Sequence, residues 1–145
     1  MRHHLVLRIV SKLLIPFIIL YGLYVQFHGD FSPGGGFQAG VIVAAAIVLY
    51  ALIFGIDRAL SVFKPEVLMA LAPLGVILFA AVGYYAMAMG GAFLDYDWLV
   101  ADDTTGQHIG IITVEFGVGL TVTSVMALIF LAYAGRTQDI DDDDW

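Results

Sequence analysis

No cysteine occurs in the 145-residue chain. That excludes a disulfide framework, an iron–sulfur cluster and a thiolate zinc site. Charge is scarce too: 13% of the residues are Asp, Glu, Lys or Arg, against about a quarter in an ordinary soluble domain. Six residues are basic, and they form no nucleic-acid footprint. There is no Gly-Lys-Ser/Thr loop for phosphate and no Gly-x-Gly-x-x-Gly spacing for a dinucleotide. No nucleophile–base pair and no metal-ligand cluster stands out. An independent enzyme is therefore the least supported class, and no cofactor, metal or nucleic-acid partner is expected.

What the chain does have is apolar length. Hydrophobic residues make up 61% of it, and the mean hydropathy is +0.92. A chain this short cannot hide so much apolar surface in a water-soluble core; the bilayer is the solvent that fits. Four apolar runs lie at 5–27, 34–56, 65–89 and 108–134. Each reaches the roughly 20 residues that a spanning helix needs. These runs predict an all-α integral membrane protein with four transmembrane helices, one unit over residues 1–135. Residues 136–145 form an acidic tail without periodicity, which reads as disordered. Arg2, Arg8 and Lys12 precede or open the first run, as in a signal peptide. That run is too long, and no small-x-small cleavage site follows it, so it predicts a retained span.

Local signals set the ends. Pro16 and Pro73 predict bends in the first and third helices. Ser32 is the expected N-cap of the second helix, with Pro33 at its first position. Glu66 suits the positive end of the third helix, and Gly90-Gly91 should stop it. Gly135-Arg136 closes the fourth. Residues 92–107 read as a polar loop carrying Asp95, Asp97, Asp102 and Asp103. Tyr21, Tyr24, Tyr96 and Trp98 suit a membrane–water interface. Four spans place both termini on one side. Arg2, Arg8, Lys12, Arg58, Lys64 and Arg136 then share one face, which predicts cytoplasmic termini by the positive-inside rule.

One ionisable residue, Glu115, lies well inside an apolar run. A carboxylate there costs several kcal/mol unless it is paired, protonated or hydrated. Two readings stand: a relay or coordination point for a proton or Na+, or a hydrogen-bonded group that ties helices together. His108, Glu115, Gly119 and Thr123 fall on one helical stripe. His108 could pass protons or cations inward from the outer interface, although a solvated residue is the blander account. Gly117, Gly119, Thr121, Thr123 and Ser124 favour close helix approach. On the same outer side lies a Pro/Gly knot, His28-Gly-Asp-Phe-Ser-Pro-Gly-Gly-Gly-Phe-Gln-Ala-Gly40. Its glycines permit unusual backbone angles and bare N–H groups at a helix start. Gly36, Gly40 and Ala44 continue a small-residue stripe down the second helix, so a tight turn and a close helix contact are favoured over ligand binding. Gln26, His28, Asp30 and Gln38 flank the same mouth and could form a polar vestibule. The acidic loop could attract cations through its field, though a solvated loop is commoner.

The stretch Gly29-Asp-Phe-Ser-Pro-Gly-Gly-Gly-Phe-Gln-Ala-Gly40 resembles the PGGGF signature of the MrpB/MnhB family, small membrane subunits of the multisubunit cation/proton antiporters. Glu115-Phe-Gly-Val-Gly-Leu-Thr-Val-Thr123 is similar to that family's last-helix motif. The resemblance covers roughly residues 5–135 and implies one subunit of a hetero-oligomer in a prokaryotic plasma membrane. Its partners would be the large complex-I-like subunits and other small membrane subunits. Na+ and H+ would be transported ions rather than cofactors. Related modules in membrane-bound hydrogenase-type complexes are the alternative. Pro33 and Phe37 match the family's signature, and Pro33, Gly34, Gly35, Gly36, Phe37 and Gly40 are read as a helix-packing and assembly motif. Glu115, His108, Thr123 and Gln38 are the ion-path candidates. No Lys lies mid-membrane, which implies a supporting or cation-path role. Two classes of function follow: a transport subunit with Glu115 on an ion path, or a structural subunit held by its glycine knot.

Overall fold

A computed structural model describes residues 5–29, 34–100 and 102–136. Helix α1 is Leu5–Gln26, α2 is Gly36–Phe54, α3 is Ile56–Val62, α4 is Pro65–Ala88 and α5 is Asp103–Ala134. A 3-10 turn, Tyr96–Trp98, lies between α4 and α5, and no strand occurs among the described residues. Four of the helices, α1, α2, α4 and α5, are long and apolar enough to cross a membrane. Helix α5 packs against both α2 and α4, and α1 lies on α2.

Most buried positions are small. Ala39, Ala44, Ala46, Ala51, Ala59, Ala86 and Ala127 are buried, as are Ser11 and Ser124. Lipid tails are as apolar as leucine, so large side chains gain little by leaving them, and close backbone approach holds the helices. Helix α5 uses two glycine faces for this. A Cβ at Gly117 would stand 2.7 Å from the Gly75 carbonyl of α4, and a Cβ at Gly40 of α2 would stand 2.9 Å from the Gly119 carbonyl. Hydroxyls reinforce both seams. Thr121 donates to the Ala72 carbonyl of α4 at 3.0 Å, and Thr123 donates to the Gly40 carbonyl of α2 at 3.2 Å.

One end of the bundle is closed by an apolar cluster of Ile47, Ala51, Ala59, Leu68, Ala127 and Leu131. It joins the end of α2, α3, the start of α4 and the end of α5. Arg8 of α1 lies 5.6 Å from the Phe54 ring centroid, so the start of α1 is at this end as well. The basic residues of the described segments collect here. The α1–α2 turn, the start of α2 and the 3-10 turn lie at the opposite end.

Several expected boundaries move. The N-cap of α2 is Gly35, at φ 146°, and no side chain caps the helix. The cap expected at Ser32 is therefore displaced, because a backbone at that φ cannot continue a helix. Ser32 and Pro33 lie outside the described residues. Helix α2 ends at Gly55, whose φ of 94° breaks the chain before α3. The connection between the second and third apolar runs holds that short helix, with Ala59 fully buried. Helix α4 ends as its glycines dictate: Gly90 N–H donates to Met87 and Gly91 N–H to Ala86, each at 3.1 Å.

Helix α5 starts at Asp103, ahead of the start expected at His108. Asp102 caps it, accepting from the Thr105 amide at 3.1 Å and the Thr104 hydroxyl at 2.9 Å. The cap lets the helix begin in polar sequence, before its apolar run. The Thr105 hydroxyl, with the Thr104 hydroxyl and the Thr105 amide, holds the Asp102 carboxyl below its ordinary value. A depressed folded pKa gives stability that is present above the unfolded value of about 3.9 and is lost as pH falls through the lower folded one. Protection of the Thr105 amide, corrected for its intrinsic exchange rate, should therefore fall as pH drops below about 4. Asp102→Asn, which caps without titrating, should flatten that fall. Of the acidic tail expected at 136–145, residues 137–145 lie outside the described residues.

Candidate functional site

Glu115 sits on α5 at the level of the first turn of α2. A Cβ on Gly36 would strike the Glu115 backbone carbonyl, and its distance to the Glu115 Cα would be 3.0 Å. A Cβ on Gly35 would stand 2.7 Å from Glu115 Oε1, and one on Gly29 would overlap the carboxylate. Gly29 of the α1–α2 turn and Gly35 at the start of α2 thus lie against this side chain, and Gly36 lies against its backbone. Gly35 is glycine for two reasons, its φ of 146° and the carboxylate beside it. The Oε2 atom is shielded from solvent. The Pro/Gly knot and the last-helix carboxylate, far apart in sequence, form one site.

One turn further along α5, Gln26 of α1 enters the same seam. It is 6% exposed, and its Nε2 makes no hydrogen bond among the described residues. Its Oε1 packs on Gly119, where a Cβ would also meet the Gly36 carbonyl at 3.2 Å. A small cavity of about 170 Å³, lined by Gln26, Gly40, Phe116, Gly119 and Thr123 among others, opens beside it. Gln26, expected to flank a polar vestibule, is buried between helices. The reason is the glycine at 119, which leaves room for an amide where any side chain would exclude it. His28 does stay near the surface, half-buried, with its ring 4.0 Å from that of Tyr24 and its Nδ1 2.9 Å from the Tyr24 carbonyl. Asp30 lies outside the described residues.

The other candidates separate. Thr123 lines the cavity, but its hydroxyl is committed to the Gly40 carbonyl. Gln38 is exposed, with Oε1 3.9 Å from the Cβ position of Gly35. His108 is exposed two turns before Glu115. Phe37 is 61% exposed and points out of the bundle. Gly34 is half-buried, Gly40 is buried, and Pro33 is outside the described residues. Tyr96 is a neighbour that the sequence does not announce. Its ring lies against Gly110 of α5. Burial, and then the charge of Glu115, hold its phenol above the ordinary value. Trp98 covers Gly91 in the same way, so the loop after α4 is folded down over the helix ends. Nothing in a single sequence says which glycine an aromatic ring will cover.

No group of three or more His, Cys, Asp or Glu suited to a metal occurs among the described residues. The polar groups gathered here are one carboxylate beside glycine backbone, one buried amide and a threonine.

Comparison with known proteins places the chain in a family. A family described as "Domain related to MnhB subunit of Na+/H+ antiporter" matches residues 6–128, which include Glu115 and the whole knot. A protein of Staphylococcus aureus strain Newman named "Putative antiporter subunit mnhB2" is 31% identical over 135 residues, covering 90% of this chain and 94% of its own. A protein of the same name from Staphylococcus haemolyticus strain JCSC1435 is 33% identical over 133 residues, with the same two coverages. These relatives carry the name of a transporter component, not of an enzyme. The match reaches into all four membrane-length helices, and the chain belongs to the MnhB family of antiporter subunits.

Proposed function

We propose that this chain is a non-catalytic membrane subunit of a multisubunit Na+/H+ antiporter, needed for assembly, with Glu115 lining part of the cation path. The observation that carries this is the glycine backbone against the carboxylate. Apolar side chains around Glu115 would leave a charge only desolvation, which is costly. Glycine backbone instead brings amide and carbonyl dipoles within reach of the carboxylate and of any cation beside it. The buried Gln26 amide lies further along the same seam, at a mainly apolar cavity that Thr123 also lines. The partners are the complex-I-like large subunits and the other small membrane subunits. Exposed Phe37 beside the site and the exposed apolar faces of α1 and α4 supply surfaces for them. Na+-driven proton movement in membrane vesicles carrying Glu115→Gln, with recovery of the whole complex as the control, tests the path. Full recovery with an unchanged exchange rate would overturn it.

In this reading the chain spans the plasma membrane of a prokaryotic cell with both termini in the cytoplasm, an orientation that the clustered cations support. The absence of native cysteine makes this easy to check. In intact cells, a membrane-impermeant maleimide should label Asp97→Cys, in the loop after α4, and should spare Ser61→Cys, on α3. The reverse pattern would invert the orientation.

A further inference from the structure

We infer that the basic end of the bundle carries a built site for the phosphodiester headgroup of an anionic phospholipid, formed by Arg8, Lys12 and Arg58 around Phe54. The positive-inside rule accounts for basic residues at this end, not for their gathering on one ring. Arg8 and Lys12 are one turn apart on α1, and both lie over Phe54, at 5.6 Å and 5.8 Å from its centroid. Arg58 reaches the same place from α3. Two cavities share Phe54 and Arg58: one of about 340 Å³ that includes Arg8, and one of about 290 Å³ that includes Lys12. None of the three cations forms an ion pair among the described residues, and neither Asp57 nor Glu66 lines either cavity. The ring fixes two long cationic side chains at little cost. The result is a positive pocket open to an anion.

The chemistry of the walls chooses a lipid over a soluble anion. Leu7, Leu52, Ile53, Ile15 and Pro16 line the two cavities beside the cations. The flank of α1 leading away from them exposes Ile9, Leu13 and Phe17, where acyl chains lie. Basic pockets between membrane helices at a headgroup boundary bind anionic lipid in this manner.

The test uses the full-length chain, purified in a mild detergent and titrated with phosphatidylglycerol or phosphatidylcholine under native mass spectrometry. Phosphatidylglycerol should be retained in preference. Arg58→Gln, an exposed position on a short helix that the fold tolerates, should weaken retention about fivefold, and combining it with Arg8→Gln and Lys12→Gln should add a similar factor for each cation. The pair Lys64→Gln and Arg136→Gln removes cations from the same end but outside the cavities, and should change retention little. Equal loss in the control pair would mean general surface charge and would overturn the site, as would no loss in any variant. Displacement of the lipid by an equal concentration of inorganic phosphate would make it a soluble-anion site and overturn the lipid assignment. If the chain holds no lipid preferentially and Arg58→Gln instead releases other antiporter subunits, a protein partner occupies the cleft and the inference fails.

Discussion

Glu115→Gln is expected to leave the complex assembled and to slow Na+/H+ exchange about tenfold or more, a change that needs only about 1.4 kcal/mol of added barrier. Glutamine matches the volume of the carboxyl group, so the contacts with Gly29, Gly35 and Gly36 survive. What is lost is the negative charge, and with it the attraction for a cation or the capacity to carry a proton. Glu115→Asp keeps the charge but withdraws it by one methylene from the glycines, and an intermediate rate is expected. Exchange measured in vesicles, beside the amount of co-purified complex, separates the two roles. Normal exchange in a fully assembled Glu115→Gln complex would leave Glu115 a packing residue.

Gly36→Ala is expected to act on assembly instead. Its Cβ would be driven into the Glu115 backbone carbonyl. A flexible side chain could move aside, but a helix backbone moves only by shifting the helix. Overpacking of this kind costs about 1–3 kcal/mol and occasionally more, set against a total stability of only about 5–15 kcal/mol. The α2–α5 seam should open, and recovery of the complex should fall together with exchange. Gly35→Ala should behave similarly, since its φ of 146° is strained for alanine even before contact with the carboxylate. If Gly36→Ala removed exchange but left assembly intact, the glycine contact would serve the ion path and not the packing.

The contrast between these two substitutions follows a wider division between what a sequence displays and what it hides. The four spans are legible directly, because a run of apolar residues long enough to cross lipid has few other fates. The glycine stop after α4 is equally plain, since Gly90 and Gly91 satisfy the last carbonyls by local bonds. Helix starts are harder to place. Ser32-Pro33 has the chemistry of a cap, yet Gly35 takes that role under the demand of a neighbour from α5. Asp102 reads as part of a polar loop, yet it caps α5 early, because capping is local and does not wait for apolar sequence. Glu115 stands out in sequence as a costly charge, whereas Gln26 reads as flanking a vestibule and is buried between helices. An amide at a helix end looks the same in sequence whether it meets water or Gly119.

Hydropathy and motif alone are enough to put this chain in a bilayer, to locate its apolar spans and to say which family it resembles. All three are properties of the chain in one dimension. That the knot and the carboxylate are one site is a fact of packing. Helical spacing puts Glu115, Gly119 and Thr123 on a single face, but it cannot say which helix that face meets. In lipid the hydrophobic effect does not make that choice. It is made by where backbones can approach most closely, and at Gly29, Gly35 and Gly36 that approach is to Glu115.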